Sequence, residues 1–141
     1  MYRKLFQIFF IITCIYAGFI YFLSSRSHLL NGNLFHSDLT HFVLDLLHNI
    51  GHIDKFGHIG LYFVFGFLLF FTFHYSKKKI LQKNAVLFAI LTGVTYGLLD
   101  EIHQYFVPGR TASIMDLLAD LIGLTLAQIC IIIIISLSKK K

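Results

Sequence analysis

Apolar residues run along this chain in four blocks, Leu5–Leu23, His58–His74, Ala85–Leu99 and Ile114–Leu137, with polar stretches between them. A bilayer core of about 30 Å takes about 20 helical residues, so blocks of this kind predict transmembrane helices. With the third carried on through its polar end, the spans are about 5–23, 58–74, 85–104 and 114–137. The first run is longer than the roughly 7–15 residues of a signal-peptide core and has no Ala-x-Ala site, so it is read as an uncleaved helix. Between the first two spans, "SDLTHFVLDLLHNIG" (Ser37–Gly51) places Leu39, Phe42, Val43, Leu46, Leu47 and Ile50 on one helical face. With Ser37 as N-cap and Gly51 as stop, an amphipathic helix is expected there, on the outer leaflet or capping the bundle. The fold class is therefore an all-α membrane protein of four transmembrane helices, one domain over 1–141.

Composition agrees. The chain is 57% hydrophobic and 13% charged, where a soluble domain carries roughly 25% charged residues. A net charge of +5 could indicate nucleic acid, but the basic residues flank apolar runs, which is a topology signal. Arg3, Lys4, Lys77, Lys78, Lys79, Lys83, Lys139, Lys140 and Lys141 fall on one side if every block crosses, leaving Arg26, Lys55 and Arg110 on the other. The positive-inside rule then puts both termini in the cytoplasm of a cell-membrane protein, with no nucleic-acid partner. All 7 acids lie toward the outer side. Cys14 and Cys130 sit inside apolar runs as small fillers, so no disulfide is expected.

The acids gather near helix ends. Asp54, Lys55 and His58 open the second span, Asp100, Glu101 and Gln104 close the third, and Asp116 opens the fourth. From Ala85 to Leu99 a helix covers about 22 Å, roughly 8 Å short of the hydrocarbon thickness. These groups are therefore expected in a polar recess walled by protein. Asp120, one turn beyond Asp116, should face the interior, because a lipid-facing carboxylate costs several kcal/mol. Asp54, His58 and Tyr62 share a face, as do Asp100 and Gln104. Pro108–Gly109 makes a turn that aims Arg110, Thr111 and Ser113, and Ser113 is also a suitable N-cap.

These residues resemble the VanZ-like family. The likeness rests on "DKFGHIGLYFVFGFLL" (Asp54–Leu69), "LLDEIHQYFVPGRTASIMDLLADLIG" (Leu98–Gly123) and "FLSSRS" at the end of the first span. Where many members carry Asn, this chain has Asp120, which bears on the charge of the recess. The resemblance implies a small multi-pass envelope protein; the name-giving member is associated with low-level teicoplanin resistance.

Two functional readings follow. In one, the recess acts on a lipid-linked envelope precursor: His58 and Glu101 serve as general acid or base, and Asp116 orients the base or binds a cation. Asp54, Lys55, Tyr62, Asp100, Gln104, Arg110, Ser113 and Asp120 bind substrate, Arg110 as a fork suited to phosphate or carboxylate. In the other, the recess binds an envelope lipid or glycopeptide without chemistry. The same residues could also serve as ion pairs, Asp100–Lys55 or Glu101–Arg110, that lock helix ends. No cofactor is expected from any motif, although His58, Glu101 and Asp116 have donor types suited to a divalent cation. His36, His41, His48 and His52 lack a supported ligand geometry. His103, on a different face, is expected to be solvated or interfacial. Transport is disfavoured, because beyond Thr92, Thr95 and Gln128 the cytoplasmic halves carry no continuing polar path.

Overall fold

The apolar blocks form helices in the computed structural model, which describes residues 2–25, 53–108 and 110–138. They are α1 (Tyr2–Ser24), α2 (Ile53–His74), a short α3 (Lys79–Lys83), α4 (Ala85–Tyr105) and α5 (Ile114–Ser138). Four of them are long and apolar enough to cross a membrane. The amphipathic helix expected over 37–51 lies outside the described residues. α2 begins at Ile53 rather than His58. Asp54 and Lys55 carry no hydropathy signal, yet they continue the same helix. The linker helix α3 was not foreseen, because five residues are too few to display a period.

Each core helix buries one stripe. α4 buries Ala85, Ala89, Gly93 and Gly97, a small residue on every turn, and the same stripe continues into Asp100, Glu101 and Gln104. α5 buries Asp116, Ala119, Asp120, Gly123, Leu124, Ala127, Gln128 and Ile131 at helical spacing. On α2 the stripe includes His58, Tyr62, Phe65, Leu69 and Phe70. The polar groups thus lie on the packing faces themselves. Helices that associate in lipid do so through small residues that let backbones approach, and whatever shares that face is carried inside with them.

α2 packs most extensively on α5, and the closest approach is at Gly123. A Cβ there would run into the Ile59 carbonyl oxygen and lie 2.9 Å from the Phe63 amide nitrogen. The two helices run parallel in a fixed register: Lys55 meets Asp116, His58 meets Asp120, and Gln128 Nε2 donates to the Gly66 carbonyl at 3.0 Å. Gly66, Gly93 and Gly97 also sit in tight contacts. Gly60 does not, because it faces open space with nothing within 4 Å.

α1 is peripheral. Only 11% of its apolar window is buried, against 39% for α2, so most of it faces lipid. Polar bonds tether it: Thr13 Oγ1 to Thr72 Oγ1 at 2.9 Å, Tyr16 Oη donating to Leu61 O at 3.1 Å, and Tyr96 Oη donating to Ala17 O at 2.6 Å. Buried hydrogen bonds between membrane helices are worth on the order of 1 kcal/mol. Thr13→Val is accordingly expected to lower the melting temperature in detergent only slightly, with normal accumulation. Near the lysine-rich turn, a largely apolar cavity of about 680 Å³ lies among α1, α2 and α4, reached by Arg3, Lys77, Lys78, Thr92 and Tyr96. Cys14 and Cys130 are free thiols.

Candidate functional site

Parallel packing of α2 on α5 brings the first turns of both helices to the end of the bundle where α4 finishes. Six ionisable or amide side chains are buried there: His58 is 8% exposed, Asp100, Glu101 and Asp116 5%, Gln104 2% and Asp120 0%. In a low-dielectric setting each such group needs a partner. Lys55 Nζ lies 3.1 Å from Asp116 Oδ1, in the first turn of α5, where unsatisfied amides also favour an anion. One turn deeper, His58 Nδ1 lies 2.8 Å from Asp120 Oδ1. Gln104 Nε2 donates to Asp100 Oδ2 at 2.9 Å within α4.

Glu101 joins two helices. Its Oε2 accepts the backbone N–H of Ser113, the residue before α5, at 2.6 Å. A carboxylate at the end of α4 therefore holds an amide at the start of α5, which otherwise has no intrahelical acceptor. Arg110, expected opposite Glu101, points its Nη2 to the Leu23 carbonyl of α1 at 3.4 Å. Lys55, one expected partner for Asp100, reaches Asp116 instead. The side chain of Asp54 lies outside the described structure. Tyr62 is 1% exposed and packs beside the site: at Gly97 a Cβ would meet Asp120 Oδ2 at 2.8 Å and Tyr62 Cε1 at 3.4 Å.

His58, Glu101 and Asp120 converge. Each offers one donor atom, these atoms all lie within 4.8 Å of one another, and all three residues are buried. The sequence reading grouped His58 and Glu101 with Asp116; the structure puts Asp120 in that position and leaves Asp116 on Lys55. Asp120 lies within repulsive range of Asp100 and Asp116, and Glu101 within that of Asp116 and Asp120. Among the described residues, Asp100 Oδ1, Glu101 Oε1, Asp120 Oδ2 and Tyr62 Oη are buried oxygens with no hydrogen-bond partner in the protein.

His103 carries a contact that its position on the helix did not reveal. Its Nε2 lies 3.0 Å from Ser25 Oγ, and its ring centroid is 4.5 Å from that of Tyr21, so it ties α4 to the end of α1. The tetrad of His36, His41, His48 and His52 lies outside the described residues.

A cavity of about 350 Å³ opens beside Glu101, between the end of α4 and the start of α5, lined by Leu98, Ile102, Tyr105, Ser113 and Leu117 among others. Its wall is largely apolar, with polar groups at Glu101, Ser113 and Tyr105, so it suits the junction between a polar group and a hydrocarbon chain. Comparison with known proteins gives a match between residues 7–135 and the family model described as VanZ/LLP1. No curated protein and no solved structure matches the chain.

Proposed function

The chain belongs to the VanZ/LLP1 family, and from that premise we propose that its recess takes the polar end of a lipid-linked envelope intermediate and acts on it, altering susceptibility to teicoplanin. Both termini lie in the cytoplasm under this reading, in keeping with the lysine-rich ends, and the recess opens on the outer face of the cell membrane. The observation that carries the reading is the position of Glu101. Its carboxylate belongs both to the buried trio with His58 and Asp120 and to the wall of the apolar cavity between α4 and α5. A lipid could approach there from the bilayer with its polar end against ionisable groups.

The roles follow from the contacts. Asp120 orients the His58 ring through Nδ1, and His58 and Glu101 exchange protons with the substrate. Lys55 and Arg110 supply positive charge for a phosphate or carboxylate. Asp116 holds Lys55, a positioning role rather than an acid–base one. Gln104 fixes the Asp100 carboxylate, and the Ser113 N–H fixes that of Glu101.

Purified protein in lipid nanodiscs, supplied with labelled lipid-linked precursors of several head groups, tests the reading. Turnover by the wild type is expected, with Glu101→Gln losing turnover and keeping binding, and Arg110→Ala weakening binding by at least tenfold, about 1.4 kcal/mol. Saturable binding without any product would replace catalysis by sequestration. Absence of both would end the proposal.

A further inference from the structure

We propose that His58, Glu101 and Asp120 hold one divalent transition-metal ion of the zinc or manganese type. Its place in the reaction rests on the reading above; its binding does not.

Three separate observations converge on the trio. Its donors come from α2, α4 and α5, so the three core helices bring them together as the bundle folds, and all lie within 4.8 Å of one another. His58 Nδ1 and Asp120 Oδ1 are hydrogen-bonded at 2.8 Å, so they need part only slightly to bind one cation, to roughly 3.3 Å for tetrahedral geometry and less for octahedral, with bonds of about 2.0–2.2 Å each. The site also carries oxygens that the protein leaves unanswered. Glu101 Oε1 and Asp120 Oδ2 are buried without a partner, in residues 5% and 0% exposed, and the Tyr62 hydroxyl beside them is buried likewise. Finally, acidic side chains crowd the site, with Asp100, Asp116 and Glu101 all within electrostatic range of Asp120. Two ligating carboxylates match a charge of +2.

The donor set selects the metal. One imidazole with two carboxylates suits zinc, manganese or iron(II), whereas calcium and magnesium favour oxygen alone. Ser113 donates its N–H to Glu101 Oε2 and so fixes the carboxylate with Oε1 left for the ion, the orienting support that ligating carboxylates commonly have. When the cation enters between them the proton leaves Nδ1 of His58, passing to solvent from a charged ring or to Nε2 in a neutral one. Three protein ligands leave coordination positions open, and the α4–α5 cavity reaches Glu101 from the lipid side. A phosphate oxygen or a water would take those positions, so under this proposal the trio would act through a metal-bound group.

The full chain, purified without a histidine tag and stripped with chelator, is titrated calorimetrically with zinc and with manganese. One equivalent is expected to bind, and His58→Gln, Glu101→Gln and Asp120→Asn each to weaken binding by at least tenfold. A variant with His36, His41, His48 and His52 all changed to Gln is expected to bind as the wild type does. Should a trio variant fail to accumulate, X-ray absorption on the wild-type complex still decides, with a coordination sphere of one imidazole and otherwise oxygen. No binding by the wild type, binding unmoved in Asp120→Asn, or two or more imidazoles on the ion would overturn the site. Lys55→Gln separates the two proposals: it is expected to keep the metal and bind lipid phosphate less well. Metal binding with no lipid binding in any variant would leave the ion in place and remove the lipid reading.

Discussion

Replacing Gly123 by alanine is expected to cost on the order of 3 kcal/mol, and by valine to abolish accumulation in the membrane. A Cβ at this position meets the Ile59 carbonyl oxygen and the Phe63 amide nitrogen, at 2.9 Å for the latter. Both are backbone atoms, so no side chain can rotate away, and α2 must separate from α5. That packing sets the register on which the His58–Asp120 and Lys55–Asp116 contacts depend. The damage therefore reaches the recess. Gly18→Ala is the control, since nothing lies within 4 Å of a Cβ there. Membrane abundance and melting temperature in detergent would be measured for each variant. A Gly123→Ala protein that melts with the wild type would mean that the two helices do not approach so closely.

The second large effect concerns the deepest pair. Asp120→Leu is expected to destabilise the bundle by about 3 kcal/mol, because it removes the acceptor for a His58 ring that is itself buried. His58→Leu should cost a similar amount by stranding a carboxylate in a residue 0% exposed. Removing both partners is different. The double Leu variant exchanges a buried polar pair for hydrocarbon, and such exchanges are often neutral or stabilising. Its melting temperature is expected above that of either single variant, while any activity or metal binding is lost. Strictly additive losses across the cycle would sink the claim that these two side chains answer one another.

Much of this was legible in the sequence, for a simple reason. Lipid allows a backbone to cross only as a helix or a closed barrel, so apolar length alone marks the spans. The third and fourth spans end within a residue or so of α4 and α5. The recess was legible too, because Asp100, Asp116 and Asp120 recur at helical spacing on faces that also carry Gly97 and Gly123. Pairing was not legible. Asp116 and Asp120 stand one turn apart, about 6 Å along the axis, and spacing within one helix cannot say which acid meets His58. The answer depends on how far α2 slides along α5, which Gly123 and the Gln128–Gly66 bond determine together. The Glu101–Ser113 contact was hidden for another reason: its donor is a main-chain amide, and no side-chain motif announces one.

The tethers of α1 have an evolutionary corollary. Tyr16, Tyr96 and Arg110 reach the peptide carbonyls of Leu61, Ala17 and Leu23. Every residue type presents that oxygen, so the acceptor positions are indifferent to the side chain attached. At those acceptor positions the outermost helix has wide latitude to drift in sequence, and a foreign apolar helix grafted in its place could still dock if it kept the hydroxyls at positions 13, 16 and 25. The groove beneath Gly123 tolerates no such licence.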